Sequence, residues 1–248
     1  MISQAESTLK VDEIQAIVEA TVTSNGNIVE KSSVVNADTE VGIILDRTPA
    51  YSPSGSQASD IGHIQMKDLF FKFDKVCKIR DYVVHIGHFV DWEGKLVRKI
   101  IICWVCEFLL NWCISRDPDH ELRVGDECLI SIDEKNRLGC MRHHTATHLL
   151  NAALKRILPV VGQRGSYVYK DGLVFECSIF GRKLSNQDVT NIESYINQTI
   201  KADVPVKTKT VNILQMLRED NLTMIPGEIY PDNGIRIVEI NSDIIVSK

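Results

Sequence analysis

The chain has 248 residues, of which 44% are hydrophobic and 25% are charged, and its mean hydropathy is −0.05. This composition excludes collagen-like, disordered and disulfide-dense proteins, and the length allows one large domain or two small ones. The formal net charge of −5 argues against nucleic-acid binding through bulk charge alone. Seven irregularly spaced cysteines, with no signal peptide at the start, predict a reducing intracellular compartment.

The charge is unevenly distributed along the chain. Residues 1–135 carry 14 Lys and Arg against 22 Asp and Glu, whereas residues 136–248 carry 14 against 11, which gives −8 and +3. A mildly basic second half can meet phosphate, although a charge of +3 is by itself a weak indication of a nucleic-acid partner.

The first half of the chain has the pattern of short β-strands separated by turns. Val, Ile, Phe and Tyr concentrate in five segments, which are Asn27–Val35, Gly42–Arg47, Asp68–Lys75, Tyr82–Trp92 and Glu127–Asp133. Turn-forming clusters such as Ser24-Asn25-Gly26 lie between such segments. Together these features predict a small β-barrel over residues 28–135, preceded by a lead-in over residues 1–27.

The second half, residues 136–248, predicts an α+β layer. Apolar residues recur at helical spacing from Thr145 to Leu158, and a second amphipathic helix follows Ser185, whose spacing to Asp188 resembles a helix N-cap. The other expected elements are strands at Tyr167–Tyr169, Leu173–Phe180, Val204–Val211 and Ile235–Ile240, and a helix at Asn212–Glu219. The predicted fold class is therefore α+β.

One stretch of the first half does not fit the barrel pattern. Ile100–Ile114 is almost continuously apolar, but it is shorter than the roughly 20 residues that a membrane helix needs. Cys103 and Cys106 form a CxxC without a second Cys or His pair at zinc-finger spacing, so a buried hydrophobic segment is favoured over a metal or redox site.

The strongest local motif is a pair of histidines four residues apart. His144 and His148 lie on one face of the predicted helix, so both imidazoles can reach a single ion. Thr145 stands where a zinc protease of the H-E-x-x-H type has its catalytic Glu, which excludes that class. From spacing alone, a zinc site and a hydrogen-bonded structural pair remain equally good interpretations.

Two further segments have the composition of binding loops. Asp46–Gln57 combines hydroxyls, small residues and an amide after a predicted strand, and Gly162–Tyr167 places Gln163 and Arg164 between the histidine helix and the next strand. Gln offers a donor and an acceptor, and Arg pairs with phosphate. Taken by themselves, both segments are better interpreted as ordinary solvated turns.

Several motifs, in order along the chain, resemble the editing domain of alanyl-tRNA synthetases. They are Leu45–Tyr51, His85–Gly87, Met141–Leu154, Val161–Ser166 and Pro226–Asp232. The resemblance covers roughly residues 28–94 and 121–248. It implies a small β-barrel followed by a zinc-binding editing core of the threonyl/alanyl-tRNA synthetase second additional domain type.

The resemblance implies hydrolysis of tRNA(Ala) that is wrongly charged with serine or glycine, in a parent enzyme that performs ATP-dependent alanine–tRNA ligation. His144 and His148 would be zinc ligands, with Gln163 and Thr48 as catalytic-pocket residues. Expected substrate or tRNA contacts are Arg142, Arg164, Gly165 and Gln57. Zn²⁺ is the expected cofactor, with ATP and Mg²⁺ confined to a ligase domain absent here, and the tRNA(Ala) acceptor end is the expected partner, without DNA or membrane.

Three departures from the family pattern qualify this expectation. The family completes its zinc site with a CGGTH-like motif, and the chain stops at Lys248, before such a motif. Gly55-Ser56-Gln57 replaces the family's Gly-Gly-Gln. Lys95–His120 has no counterpart and is interpreted as an atypical insert, a translated intron by hypothesis.

Two alternatives to a ligase fragment remain open. One is a freestanding alanyl-tRNA editing deacylase, and the other is an inactive tRNA-binding fragment. The expected location is the cytoplasm, with the mitochondrion as the alternative.

Overall fold

The computed structural model describes residues 14–23, 33–36, 40–66, 69–90, 99–103, 121–158, 160–219, 222–224, 229–240 and 243–247. The chain divides into two compact units. The barrel unit comprises Val11–Pro53 and Ser59–Arg137, and the helix–hairpin unit includes Ser54–Ala58 and Leu138–Lys248.

Six strands of the barrel unit form a closed barrel in the order β1-β3-β6-β5-β4-β9. Their bounds are Ile14–Thr23 for β1, Val41–Leu45 for β3, Gly62–Met66 for β4, Leu69–Ile79 for β5, Tyr82–Val90 for β6 and Glu127–Ile132 for β9. Three further strands, β2 (Ser33–Asn36), β7 (Lys99–Cys103) and β8 (Glu121–Arg123), form a separate sheet in the order β2-β7-β8. The described strands thus confirm that the first half contains a small barrel.

Alternating apolar residues fill the barrel interior. Phe71 and Phe73 of β5, Ile64 of β4 and Ile130 of β9 are all fully buried, as the two-residue period of a strand requires when one face meets a core. Gly87 allows β6 to approach β5 closely, because a Cβ at this position would lie 2.0 Å from the carbonyl oxygen of Lys72. The register of this strand pair shifts between Phe73 and Lys75.

The strand predictions for the first half differ from the structure at several points. β1 lies within residues 1–27, which the sequence analysis treats as a lead-in, and it pairs with both β3 and β9 to close the barrel. β4 was also not expected. Of the expected strand Asn27–Val35, residues 27–32 lie outside the described residues and residues 33–35 belong to β2. Of the Lys95–His120 segment, residues 95–98 and 104–120 lie outside the described residues, and residues 99–103 form β7, which pairs with β2 and β8.

The helix–hairpin unit combines helices with a two-stranded hairpin and a four-stranded sheet. Helix α1 is Glu134–Ile157, the hairpin is β10 (Val160–Tyr169) with β11 (Gly172–Phe180), and helix α2 is Asn186–Lys201. The sheet has the order β12-β14-β15-β13. Its strands are β12 (Val206–Val211), β13 (Leu222–Thr223), β14 (Ile235–Ile240) and β15 (Asp243–Ser247), and the short helix α3 is Ile213–Met216.

The inner face of the hairpin packs on two helices. Ala153, Leu154 and Leu158 of the α1 segment and Ile192 of α2 form a buried cluster, against which hairpin side chains such as Phe175 pack. Helix α2 begins with a capping box in which Ser185 and Asp188 exchange hydrogen bonds, as their spacing predicts. The combination of a barrel with helices and mixed sheets is compatible with the α+β class.

Three element predictions for the second half need correction. Helix α1 begins at Glu134 rather than Thr145, because the Asp133 carboxylate accepts a hydrogen bond from the Asn136 N–H at 2.7 Å and starts the helix there. Gly162–Tyr167 is not a loop but part of strand β10, which pairs with β11 from Val160 to Tyr169 with a register shift between Gln163 and Gly165. The helix expected at Asn212–Glu219 is reduced to the single turn α3.

Candidate functional site

His144 and His148 project from the same face of α1. Their ring centroids are 5.2 Å apart and the ring planes are inclined by 37°. Burial, assisted by the positive charge of Arg236, lowers the pKa of His144. Burial, with the neighbouring His144 and Arg236, lowers the pKa of His148 to about 4. Both imidazoles are therefore neutral at pH 7, which is the protonation state that a metal ligand requires.

Gln57 lies against the first of these histidines. The Nδ1–H of His144 donates a hydrogen bond to Oε1 of Gln57 at 2.8 Å. Gln57 is 6% exposed and follows a tight turn in which its own N–H donates to the carbonyl of Ser54 at 3.0 Å. This contact engages Nδ1 of His144, so the lone pair of the ring belongs to Nε2.

Gln163 lies on strand β10 and is held from helix α1. Asn151, which is 2% exposed, donates from Nδ2 to Oε1 of Gln163 at 3.2 Å. Asn151 follows His148 by three positions and His144 by seven, so the three side chains belong to one stripe of the helix. The structure thus connects the predicted Gln163 to the helix face that carries the histidine pair.

The other expected substrate or tRNA contacts lie on two elements: Arg164 and Gly165 on β10, and Arg142 on α1. Arg164 is exposed on β10 and donates from Nε to Oγ of Ser178 at 2.7 Å. A Cβ at Gly165 would lie 3.2 Å from Oε2 of Glu176, which is tighter than normal van der Waals contact. Arg142 is exposed on α1. The two arginines are accessible cations, as contacts to phosphate require.

Thr48 lies in the barrel unit, where it binds His85. The Nδ1–H of His85 donates to the carbonyl of Ile43 at 3.0 Å, so the Thr48 hydroxyl donates to Nε2 at 2.8 Å. The same hydroxyl oxygen accepts the N–H of Ala50 at 3.0 Å. His85 is fully buried, and burial lowers its pKa against an opposing effect of the Ile43 hydrogen bond. Thr48 is therefore fixed on a neutral, buried imidazole.

An ion pair that no local sequence pattern indicates anchors the loop after β3. Asp60 is 1% exposed and receives two N–H groups of Arg137, whose guanidinium also donates to the carbonyl of Pro49 at 2.8 Å. The remaining acceptor capacity of Asp60 takes the N–H of Tyr51 at 2.7 Å. Hydrogen bonds and an ion pair therefore connect the loop that carries Thr48 to the start of α1 within the barrel unit.

The described residues offer zinc a limited set of ligands. Two neutral imidazoles on one helix face, one of them oriented through its other ring nitrogen, fit zinc as two of its ligands. Within the described ranges, no group of three or more His, Cys, Asp or Glu side chains is placed to hold a metal ion. The two histidines are thus two of the three or four ligands that a zinc ion would need.

Two other expectations concern the last family motif and helices that could span a membrane. In the motif Pro226–Asp232, residues 226–228 lie outside the described residues. Helices in the described part of the chain are all too short or too polar to cross a membrane.

Similarity to known proteins agrees with the motifs. Residues 2–103 match the family described as class II (A) tRNA synthetases. The mitochondrial alanine–tRNA ligase of Drosophila melanogaster is 37% identical over 211 residues, which is 82% of this chain and 18% of that protein. The cytoplasmic alanine–tRNA ligase of Dictyostelium discoideum is 30% identical over 235 residues, which is 93% of this chain and 22% of that protein.

A bacterial relative gives the same result. The alanine–tRNA ligase of Leptospira biflexa serovar Patoc is 31% identical over 186 residues, which is 75% of this chain and 17% of that protein. The chain spans about a fifth of the length of these relatives. The resemblance found in the motifs is confirmed, and the chain belongs to the alanine–tRNA ligase family, corresponding to one part of those enzymes.

Proposed function

We propose that this chain carries an editing site that hydrolyses the ester bond of tRNA(Ala) mischarged with serine or glycine. The observation that carries the proposal is the stripe of His144, His148 and Asn151 on α1, with Gln163 hydrogen-bonded to it. This arrangement combines two neutral imidazoles with an oriented amide, as an ester-hydrolysing site with a metal would use. The motif resemblance supplies the substrate class.

His144 and His148 are the side chains that would hold zinc in this account. A bound zinc would supply a Lewis acid for the ester carbonyl, or would lower the pKa of a water to about 7. The partly buried setting of His148 lowers the pKa of its imidazole to about 4, which keeps the lone pair available in mildly acidic conditions as well as at neutral pH.

Gln163 acts in this proposal as a hydrogen-bond donor. Its Oε1 accepts the amide of Asn151, so its Nε2 group is the part that remains for a substrate. A donor of this kind stabilises the negative charge that develops on the ester oxygen during attack. Gln163 is therefore assigned to charge stabilisation rather than to proton abstraction.

Discrimination between serine and alanine follows from hydrogen bonding. A site that binds the serine hydroxyl leaves polar groups unpaired when alanine enters, and this difference supports strong selectivity. The resemblance assigns Thr48 to the neighbourhood of the amino-acid side chain. Its hydroxyl is rigidly held by His85, which would make it a well-defined partner for a second hydroxyl.

The acceptor end of tRNA(Ala) is the proposed macromolecular partner. Arg142 and Arg164 are exposed cations on α1 and β10 and are the proposed phosphate contacts. Cytoplasmic and mitochondrial ligases both occur among the relatives, so either compartment fits the proposal.

The test is deacylation of a panel of substrates by this chain and by the full-length protein that its gene encodes. Ser-tRNA(Ala) and Gly-tRNA(Ala) are expected to be hydrolysed, with Ala-tRNA(Ala) spared. Gln163→Ala is expected to lower the rate, and Gln187→Ala, which changes an exposed glutamine of α2, is the matched control. Equal hydrolysis of all three substrates would contradict an editing function.

A second candidate is tRNA binding without hydrolysis. It is favoured by the fact that the described residues bring only two imidazoles, and no third His, Cys, Asp or Glu, into a group that could hold a metal. In that case the protein would bind tRNA(Ala) while all three esters remained intact, and Arg164→Ala would weaken the binding.

A further inference from the structure

We infer that Gln57 is a positioning residue for His144, which it holds in the tautomer that leaves Nε2 free to bind the metal. The inference rests on the proposed zinc-dependent function and adds a specific role within it. Gln57 is expected from the family resemblance to contact substrate or tRNA, and in the structure its amide oxygen accepts the hydrogen bond of the His144 Nδ1–H.

The backbone around Gln57 is built to keep its side chain in place. Gly55 and Ser56 both adopt positive φ, at 55° and 68°, in a turn closed by the hydrogen bond from Gln57 to Ser54. Strand β10 then holds the turn through two backbone hydrogen bonds. The N–H of Val168 donates to the carbonyl of Ser56 at 2.9 Å, and the N–H of Ala58 donates to the carbonyl of Val168 at 2.8 Å.

The anchored turn determines where the Gln57 side chain lies relative to His144. Gln57 is almost fully buried, and its neighbours Ser56 and Ala58 are held by backbone hydrogen bonds to Val168, so its amide oxygen has a defined place beside the His144 ring. Ser56 supports the same interpretation, because a non-glycine residue in the left-handed region is strained and persists where the surroundings enforce it.

The chemistry of the two side chains selects one tautomer. A neutral imidazole has one N–H and one lone pair, and an amide oxygen can only accept. Oε1 of Gln57 therefore places the proton on Nδ1 of His144 and the lone pair on Nε2. Histidines that bind metals are oriented in this way through their second nitrogen, and loss of such a partner lowers metal affinity by about 10- to 100-fold.

Three variants separate this role from simple packing. Gln57→Met keeps the length and apolar volume of the side chain but has no strong acceptor. Gln57→Glu replaces the amide oxygen by a stronger acceptor. Gln187→Met changes an exposed glutamine on α2 and controls for the substitution itself. Thermal unfolding of each variant establishes that it is folded before its binding is compared.

Zinc affinity is the first readout, measured by competition with a chromophoric chelator. We expect Gln57→Met to weaken binding by about 10- to 100-fold, while Gln57→Glu binds at least as tightly as the wild type and the control is unchanged. Equal zinc affinity in the wild type and Gln57→Met would overturn the inference.

The tautomer itself is the second readout, measured on the metal-free protein by ¹⁵N NMR of the imidazoles. His144 should carry its proton on Nδ1 in the wild type and lose that preference in Gln57→Met. A wild-type protein that binds no zinc would contradict the proposed function, and the tautomer measurement would still decide the role of Gln57. An Nε2–H tautomer in the wild type would overturn the inference whatever the zinc affinity.

Discussion

Asn151 donates a hydrogen bond from its side-chain amide to Oε1 of Gln163, across a distance of 3.2 Å between helix α1 and strand β10. Asn151 is almost completely buried, so water does not compete for the bond. The contact decides which end of the Gln163 amide remains available. It is therefore the relationship through which the helix sets the hydrogen-bonding character of the proposed substrate pocket.

Replacing Asn151 should test this orientation directly. Asn151→Asp removes the donor and supplies an acceptor, so the Gln163 amide should turn and present its oxygen to the substrate. We expect kcat for Ser-tRNA(Ala) to fall by at least about 10-fold with little change in KM. Complete loss of a donor that stabilises the developing charge would lower kcat by about 100- to 1000-fold.

Two further variants accompany that measurement. Asn151→Ala, which introduces no buried charge, should lower kcat in the same direction, and Asn191→Asp on the exposed face of α2 should have no effect. If kcat stays at the wild-type value in folded Asn151→Asp, the proposed donor role of Gln163 is wrong.

The ion pair between Asp60 and Arg137 should be important for barrel stability. Arg137→Met leaves a carboxylate that is 1% exposed without its cation, and breaking a buried pair in this way costs about 3–5 kcal/mol. Urea unfolding measures the loss. The double variant Asp60→Asn/Arg137→Met should recover a large part of it, since the buried charge is gone and the Tyr51 N–H keeps an acceptor. A double variant less stable than Arg137→Met would contradict the argument.

His85 should make the stability of the barrel depend on pH. Burial lowers the pKa of its imidazole in the folded protein, whereas the unfolded chain takes up a proton near pH 6.5. Protons therefore favour unfolding, and stability present above about pH 6.5 is lost as the pH falls towards the lowered pKa.

Chemical unfolding at a series of pH values from 7.5 to 5 measures this dependence. His85→Gln should lower the slope of stability against pH by up to about 1.4 kcal/mol per pH unit, the maximum for one titrating group. His63→Gln, which alters an exposed histidine of β4, is the matched control. An unchanged slope in His85→Gln would show that His85 does not resist protonation in the fold.

Thr48 should have a structural role that is separable from its proposed role in specificity. Thr48→Val leaves Nε2 of the buried His85 without a donor, which should cost about 1–3 kcal/mol in the free energy of unfolding. Thr48→Ser keeps the hydroxyl and should remain close to the wild type. Equal stability of the two variants would mean that the Thr48–His85 hydrogen bond contributes nothing to the fold.

Local signals in the sequence were sufficient for several elements of the fold. The Ser185–Asp188 capping box was predicted because both partners lie within one helical turn. Helix α1 began earlier than expected because Glu134–Thr145 carries few apolar residues, and the hydrogen bond from Asn136 to Asp133 defines its start. Strand β1 was missed because closing the barrel depends on pairing with β9, more than 100 positions away.

The site shows the same division between local and distant information. His144 and His148 were recognisable from their spacing, and the same helical spacing could have identified Asn151. Gln57 and His144 are 87 positions apart, and Asp60 and Arg137 are 77 apart, so neither partnership follows from a local pattern. These contacts depend on chain folding that periodicity does not encode.

The most direct test of the central claim compares Ser-tRNA(Ala) deacylation by the wild-type protein with that of His148→Ala and His63→Ala, at equal concentrations and with zinc present. We expect hydrolysis by the wild type and by His63→Ala, which changes a side chain exposed on the barrel, and loss of hydrolysis in folded His148→Ala. Hydrolysis at the wild-type rate by His148→Ala would contradict an editing site centred on the histidine pair.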